Sequence, residues 1–235
     1  MKLAYDLHIH SCLSPCGEDD MTPANIVGMA ALKGLDVIAL TDHNSSKNAP
    51  AFHHFAKEYG ILALTGMELC TLEEVHVVCL FPTLNQTMEF DRYMEKRMMP
   101  FPNKEELFGN QLICDLEDHY CGKVENLLIN RTDVSFDGLW DLIRTYGGVM
   151  FPAHVDKSSN SLLSNLGFIP PDSKFQVFEI KEKENLSSIK KLHPYLNHCL
   201  ALSNSDAHRL GDIKEPDDVL EVEVLSPEGV IGCFF

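Results

Sequence analysis

Basic side chains are scarce in this chain: 19 Lys and Arg stand against 35 Asp and Glu, leaving a formal charge of -16 at pH 7. A surface of that sign repels nucleic acid and anionic membranes unless bound cations or local basic patches reverse it, so broad polyanion binding is excluded as a default. Most of the acidity reads as a solvated surface, and the rest as part of a cation site. No run of about 18 apolar residues is present to span a membrane. The start, Met1-Lys2-Leu3-Ala4-Tyr5-Asp6, lacks the apolar run and cleavage site of a secretory signal. Eight cysteines without dense regular spacing argue against a disulfide framework and for reduced thiols, so a cytoplasmic protein is expected. A Gly-rich dinucleotide loop, a Walker lysine, a Gly-x-Ser-x-Gly elbow and internal repeats are all missing. With no His-Asp pairing evident for Ser14 or Ser205, serine nucleophile chemistry is disfavoured.

What is there is a chain of 235 residues, 45% hydrophobic, enough for one substantial core in a single α/β domain. Seven apolar runs rich in β-branched residues read as strands: Leu3 to His10, Asp36 to His43, Ile61 to Glu68, Val75 to Phe81, Gly148 to His154, Phe175 to Lys181 and Cys199 to Ser205. Helical patterns alternate with them. Thr22-Pro23 offers an N-cap and a first-turn proline before Ala24 to Lys33, which Gly34 stops. Further helices are expected over Ala49 to Tyr59, Phe136 to Tyr146 and Leu186 to Leu196. This alternation predicts parallel strands closing into a barrel. Pro82 to Asp133 breaks the rhythm, with helical segments around Thr87 to Met98 and Lys104 to Gly122, so residues 83–133 read as an inserted cap. The apolar spacing around Met98-Met99 reads as core packing rather than as a substrate-facing surface. The tail, Val219 to Val224 and then Gly229 to Phe235, alternates as a strand would and is expected to be buried.

The histidines and acids fall at strand ends. His8 and His10 end the first run, His43 the second, Glu68 the third and His154 the fifth, while Asp206 and His208 follow the seventh. His76 alone lies near the start of its run. In a parallel barrel the carboxyl ends share one rim, where active sites are assembled from several strands. The i, i+2 pairs His8/His10 and Asp206/His208 each point to one face. Imidazole and carboxylate together suit zinc, iron or manganese better than magnesium or calcium. One strand-end histidine is most often a core or surface histidine; six together are not. His53, His54, His119, His193 and His198 lie away from strand ends and read as structural, and Cys12 and Cys16 form only one weak pair.

The series Asp6-Leu7-His8-Ile9-His10-Ser11, Leu40-Thr41-Asp42-His43, Gly66-Met67-Glu68, Pro152-Ala153-His154 and Ser205-Asp206-Ala207-His208 resembles the ordered motifs of the PHP (polymerase and histidinol phosphatase) phosphoesterases, and it covers nearly the whole chain. The resemblance implies a distorted (βα)7 TIM-like barrel, with a helical insertion after the fourth strand, holding three divalent metals. It assigns the first cation to His8, His10, Glu68 and Asp206, and the second to Glu68, His76 and His154. His43, His208 and a residue of the loop after His10 would take the third. The loop departs from the commonest family pattern, reading Ser14-Pro15-Cys16-Gly17-Glu18-Asp19-Asp20. Counting back from Thr22-Pro23 selects Glu18, with Asp19 and Asp20 close by and the Cys16 thiolate as an outside alternative.

Such a site implies hydrolysis of a phosphate ester by a metal-activated hydroxide, with Glu68, Asp206 and His208 as catalytic residues. Asp42 is expected to orient a ligand or form a plain backbone bond, and Arg209 to clamp a phosphate or pair at the surface. The substrate expected is a small phosphorylated metabolite, nucleotide or short oligonucleotide end, because no basic aromatic groove is evident for a long strand. Two alternatives stand beside this reading: an amidohydrolase-like hydrolase, against which Glu68 rather than a modified lysine sits at the bridging position, and a non-catalytic metal-binding module.

Overall fold

The computed structural model describes residues 1–170 and 172–235. In chain order the elements are β1 (Lys2–Ile9), α1 (Pro23–Lys33), β2 (Val37–Leu40), α2 (Ala49–Tyr59), β3 (Leu62–Cys70), β4 (His76–Phe81), α3 (Leu84–Met94), α4 (Glu105–Phe108), β5 (Leu112–Cys114), β6 (Tyr120–Lys123), α5 (Phe136–Thr145), β7 (Val149–Pro152), α6 (Leu162–Leu166), β8 (Val177–Glu179), α7 (Leu186–Leu192), β9 (Leu200–Leu202), β10 (Val219–Glu221) and α8 (Pro227–Gly232). All seven expected strand runs are realised. The α1 signals act as read: Thr22 accepts from Asn25 N, Pro23 opens the helix, and Gly34 closes it at φ 79°.

A six-stranded mixed sheet runs β10-β1-β2-β3-β4-β7, and β8-β9 forms a parallel pair. The pair sits between the sheet's two sides: Val155 N donates to Glu179 O at 2.9 Å, and His10 N donates to Ala207 O at 3.0 Å. The expectation of parallel strands is corrected at β4, which runs antiparallel to both β3 and β7. The cause is the link Thr71–Val75, which turns tightly with Thr71 N bonded to Val75 O at 3.0 Å, whereas a parallel return needs a dozen or more residues. Gly66 is required in this hairpin, because a Cβ there would overlap the Cys79 carbonyl.

Period-2 alternation sorts the strands' side chains. Leu3, Tyr5, Leu7, Val37, Ala39, Leu64, Val78, Leu80, Val149, Phe151, Val177 and Leu202 form one cluster on the concave side of the curled sheet. The opposite faces pack on α1 and α2 through Ile38 and Leu40, and on α3 and α5 through Cys79, Met67 and Met150. The tail is also corrected. Only Val219–Glu221 is a strand, antiparallel to β1; Pro227–Gly232 is a helix capped by Ser226, whose hydroxyl accepts from Gly229 N. Val230, Ile231 and Phe234 close one end of the concave cluster.

Residues 83–133 are less helical than expected. α3 covers Leu84–Met94, but Lys104 to Gly122 holds only the four-residue α4 and much of the β5–β6 hairpin. Met94 is core, but of the Met98-Met99 pair Met98 is half-buried and Met99 is 40% exposed, so the pair does not pack into the core as expected. Buried Asn48 ties β5 to the loop after β1: it accepts from Cys114 N at 2.9 Å and donates to Leu112 O at 3.1 Å and Ser11 Oγ at 2.9 Å. The expected Leu186 to Leu196 helix ends at Leu192, and Pro194 starts a separate 3₁₀ turn. Among the described residues no helix is long and apolar enough to cross a membrane.

Candidate metal centre

The ends of β2, β3 and β7 and the start of β4 meet at one cavity of about 260 Å³, and the end of β1 lies buried behind it with His8 and His10 against Glu68 and Asp206. His76, which lay at the wrong end of its run for a parallel barrel, reaches this rim because β4 is reversed. At β1 the register with β2 shifts between Asp6 and Ile9. Leu7 faces the concave cluster and Ile9 the α1 side, so the irregularity lets both His8 and His10 face Glu68 and Asp206, as bulges beside active sites do.

Glu68 is the hub. Its Oε1 lies 3.0 Å from His76 Nδ1, 3.0 Å from His154 Nε2 and 3.4 Å from His8 Nε2, and its Oε2 lies 3.0 Å from His43 Nδ1 and 3.4 Å from His10 Nε2. Asp206 Oδ1 is 3.6 Å from His8 Nε2 and 3.3 Å from His10 Nε2. Four ligands on a tetrahedral cation with bonds of about 2.1 Å lie about 3.4 Å apart, which is the spacing of His8, His10, Glu68 and Asp206. The set therefore fits a divalent cation. Two further groups are close enough to share one, His43 with Glu68 and His76, and His10 with His43 and His208. Buried His43 Nδ1 and Glu68 Oε2 face each other at 3.0 Å without forming a hydrogen bond, an arrangement that a shared cation would relieve.

Ring orientation is fixed from behind. Glu179 takes His8 Nδ1 at 3.0 Å, and it also accepts from His154 N at 3.1 Å and Asn204 Nδ2 at 2.7 Å. A carboxylate only accepts, so Nδ1 carries the proton and Nε2 faces the cluster. His10 is held through a hydroxyl: its Nδ1 lies 2.9 Å from Ser14 Oγ, which donates to Asp42 Oδ1 at 2.7 Å. Asp42 also accepts from Ser11 N and Oγ, both at 2.6 Å, so its role as an orienting carboxylate has a geometric basis. Positive φ at Asn44 (49°), His154 (28°) and Asp206 (54°) places backbone strain around the same rim.

The charges are strongly coupled. Burial opposes the charged form of His8, but Glu179, Glu68 and Asp206 outweigh it and hold the ring well above its usual range. Burial is likewise overcome at His76, which Glu68 raises to about 10. At His43 burial wins over Glu68 and the ring falls to about 3, while burial and then the charge of His10 bring His208 to about 4. Glu68, despite burial, is held well below the carboxylate range by His76, His8 and His43.

Two expected roles, the loop ligand to a third cation and the phosphate clamp, are not met. Glu18 pairs with Arg209, Oε1 to Nε at 2.9 Å, and both side chains are more than half exposed. Neither reaches the cluster, so Arg209 makes the surface pair and not the clamp. Asp19 accepts from Asn110 Nδ2 at 2.9 Å, and Asp20 is exposed. The place expected for a loop acid beside His43 and His208 is taken by His10. Cys16 lines the cavity but belongs to no group of mutually close ligand atoms among the described residues. Glu179 is the orienting residue that the sequence reading passed over, although it lies in the sixth strand run just as the others lie in theirs. His53, His54, His119, His193 and His198 are all outside the cavity.

Fold and site together define a mixed α/β protein with a histidine-carboxylate cluster at one end of its sheet. A model of the PHP domain matches residues 6–206, and the chain belongs to that family, the one its motif series resembles. A 5'-3' exoribonuclease of Haemophilus influenzae is 31% identical over 118 residues, 46% of this chain and 42% of that protein. The chain spans less than half the length of the curated relatives it matches. Among solved structures, the lesion-specific endonuclease PfuEndoQ of Pyrococcus furiosus has a TM-score of 0.65 at 20% identity, covering 98% of this chain and 55% of that one. An amidohydrolase from Chromobacterium violaceum has a TM-score of 0.60 at 18% identity, covering 93% and 91%.

Proposed function

We propose that this chain is a metal-dependent phosphoesterase whose substrate is a small phosphorylated metabolite, a nucleotide or a short nucleic-acid end. The observation that carries this reading is the clustering of six histidines about Glu68 and Asp206, four of them (His43, His76, His154 and His208) lining one cavity. His8, His10, Glu68 and Asp206 would hold one cation, Glu68, His76, His43 and His154 a second, and His10, His43 and His208 a third, with zinc, iron or manganese favoured by the ligand chemistry. Such cations neutralise phosphoryl oxygens and lower the pKa of a water towards about 7. The chain's part is to set their ligands: Glu179 and the Ser14–Asp42 pair orient His8 and His10, and Glu68 and Asp206 supply the negative charge that retains the cations. The seven strands β1 to β4 and β7 to β9 act as one distorted barrel, and residues 83–133 shield the cavity, to which Ile129 contributes an apolar wall. The names of the exoribonuclease and the endonuclease support a phosphodiester or phosphorylated end within this class.

The test is elemental analysis of the protein and its Asp206→Ala variant, paired with hydrolysis of an aryl phosphate. Two to three transition-metal equivalents with activity, both reduced in the variant, are expected. Under one equivalent, with no activity on adding zinc, manganese or iron, would overturn the reading.

A further inference from the structure

Among the described residues that line the cavity, Lys157 is the one lysine or arginine. Its Nζ lies 2.8 Å from Asp206 Oδ2, and its side chain is 40% exposed. Its backbone position is fixed. Lys157 N donates to His154 O at 2.9 Å, and Ser161 Oγ, the cap of α6, donates to Lys157 O at 2.7 Å. The turn after β7 thus sets an ammonium on the rim three residues beyond His154, while Arg209 is committed to Glu18 outside it.

We propose that Lys157 is a specificity-determining residue that selects a terminal phosphate, a phosphomonoester, over an internal phosphodiester. The proposal rests on the phosphoesterase reading. In the protein alone the ammonium answers Asp206; with Asp206 engaged as a cation ligand, the lysine turns to an incoming anion. A terminal phosphate offers three non-bridging oxygens and a charge of about -1.5 to -2 at neutral pH, whereas a diester offers two such oxygens and one charge. The additional oxygen and charge are what a single ammonium can recognise by a charge-assisted hydrogen bond. Size agrees: about 260 Å³ is below the roughly 300–1,000 Å³ of sites that enclose a drug-sized ligand, so the cavity takes a phosphoryl group and the first atoms that bear it. In the reaction the water oxygen bonds to phosphorus as the P–O ester bond breaks. The ester oxygen leaves with the bonding pair and gains one water proton, and the other proton stays with the released phosphate. Lys157 keeps its proton throughout.

The experiment compares the metal-loaded full chain with its Lys157→Met and Lys157→Arg variants on p-nitrophenyl phosphate and bis(p-nitrophenyl) phosphate. Metal content and calorimetric binding of inorganic phosphate are measured on the same samples. With metal content unchanged, Lys157→Met should raise KM for the monoester and Kd for phosphate by about ten- to hundredfold, move the diester by no more than about twofold, and be largely rescued by arginine. Equal loss on both esters would reduce Lys157 to a support for Asp206, and unchanged phosphate affinity would equally overturn the proposal. A wild type that holds metal yet hydrolyses neither ester sinks the phosphoesterase reading, and phosphate binding then decides Lys157 independently.

Discussion

At one end of the curled sheet six histidines cluster about Glu68 and Asp206; at the other, Val230, Ile231 and Phe234 close the same concave core with hydrocarbon. The polar end holds strained backbone at His154 and Asp206 and unpaired buried atoms at His43 and Glu68. Each strained residue costs about 1–3 kcal/mol, and leaving polar atoms unpaired costs more. The apolar end has only dispersion and burial to contribute, and it carries no chemistry. The comparison teaches that the stability of this fold and its cluster of titratable groups are located in separate places, so they should fail separately.

The strongest way to break that separation is Phe234→Ala. Phe234 is 1% exposed, and removing a buried phenyl ring costs about 3–5 kcal/mol. Denaturant unfolding should report that loss, while the metal content of the folded protein stays the same; a matching loss of metal would show that the two ends are coupled. Next is Glu179→Gln at the other end, which keeps the shape behind His8 and removes the charge. Metal affinity should fall by about 10–100-fold with little change in far-UV circular dichroism, and competition with a chromogenic chelator reads it. Unchanged affinity would show that the backbone alone orients His8.

The smallest effect sharpens the comparison through pH. Glu68 raises His76 to about 10 and, against burial, Glu179 and its neighbours hold His8 well above its usual range, so both rings are protonated at neutral pH without metal. Ligation requires neutral imidazole, and each proton displaced weakens binding by about tenfold per pH unit as the pH falls. Calorimetry of metal binding in buffers of different ionisation heat should therefore show proton release, with weaker binding at pH 6.5 than at 7.5. Absence of both would mean that His8 and His76 are neutral before metal arrives.

Strand positions and most of the clustered histidines and acids were legible because they follow periodicity and strand ends, which are local properties. The direction of β4 was also written in the sequence, since Thr71 to Val75 is too short for a parallel return, but reading each strand as parallel made His76 an exception when it was the clue. Arg209 misled for a related reason: it follows His208 in the chain, and adjacent side chains in extended backbone point to opposite sides. Glu18 was reached by counting along a loop, where no period relates number to direction. Glu179 shares the strand-end signal of the ligands, but its partner is the back of a histidine ring, and that contact spans 171 residues. The helix α8 was hidden because Gly229 to Phe235 carries a mixed pattern, resolved only by the core it fills.

The reversal of β4 also bears on how the chain assembles. Glu68 and His76 sit on one hairpin, eight residues apart, so their encounter asks for little loop closure. His8 and Asp206 are brought together across a contact of nearly the whole chain, fixed where Ile9 bridges Ala207. A cation shared by these residues would act as a clasp on that long loop, and opening it would demand release of an ion as well as loss of packing. The hairpin thus closes a short loop, whereas joining β1 to the segment after β9 closes a long one, the more costly of the two in chain entropy.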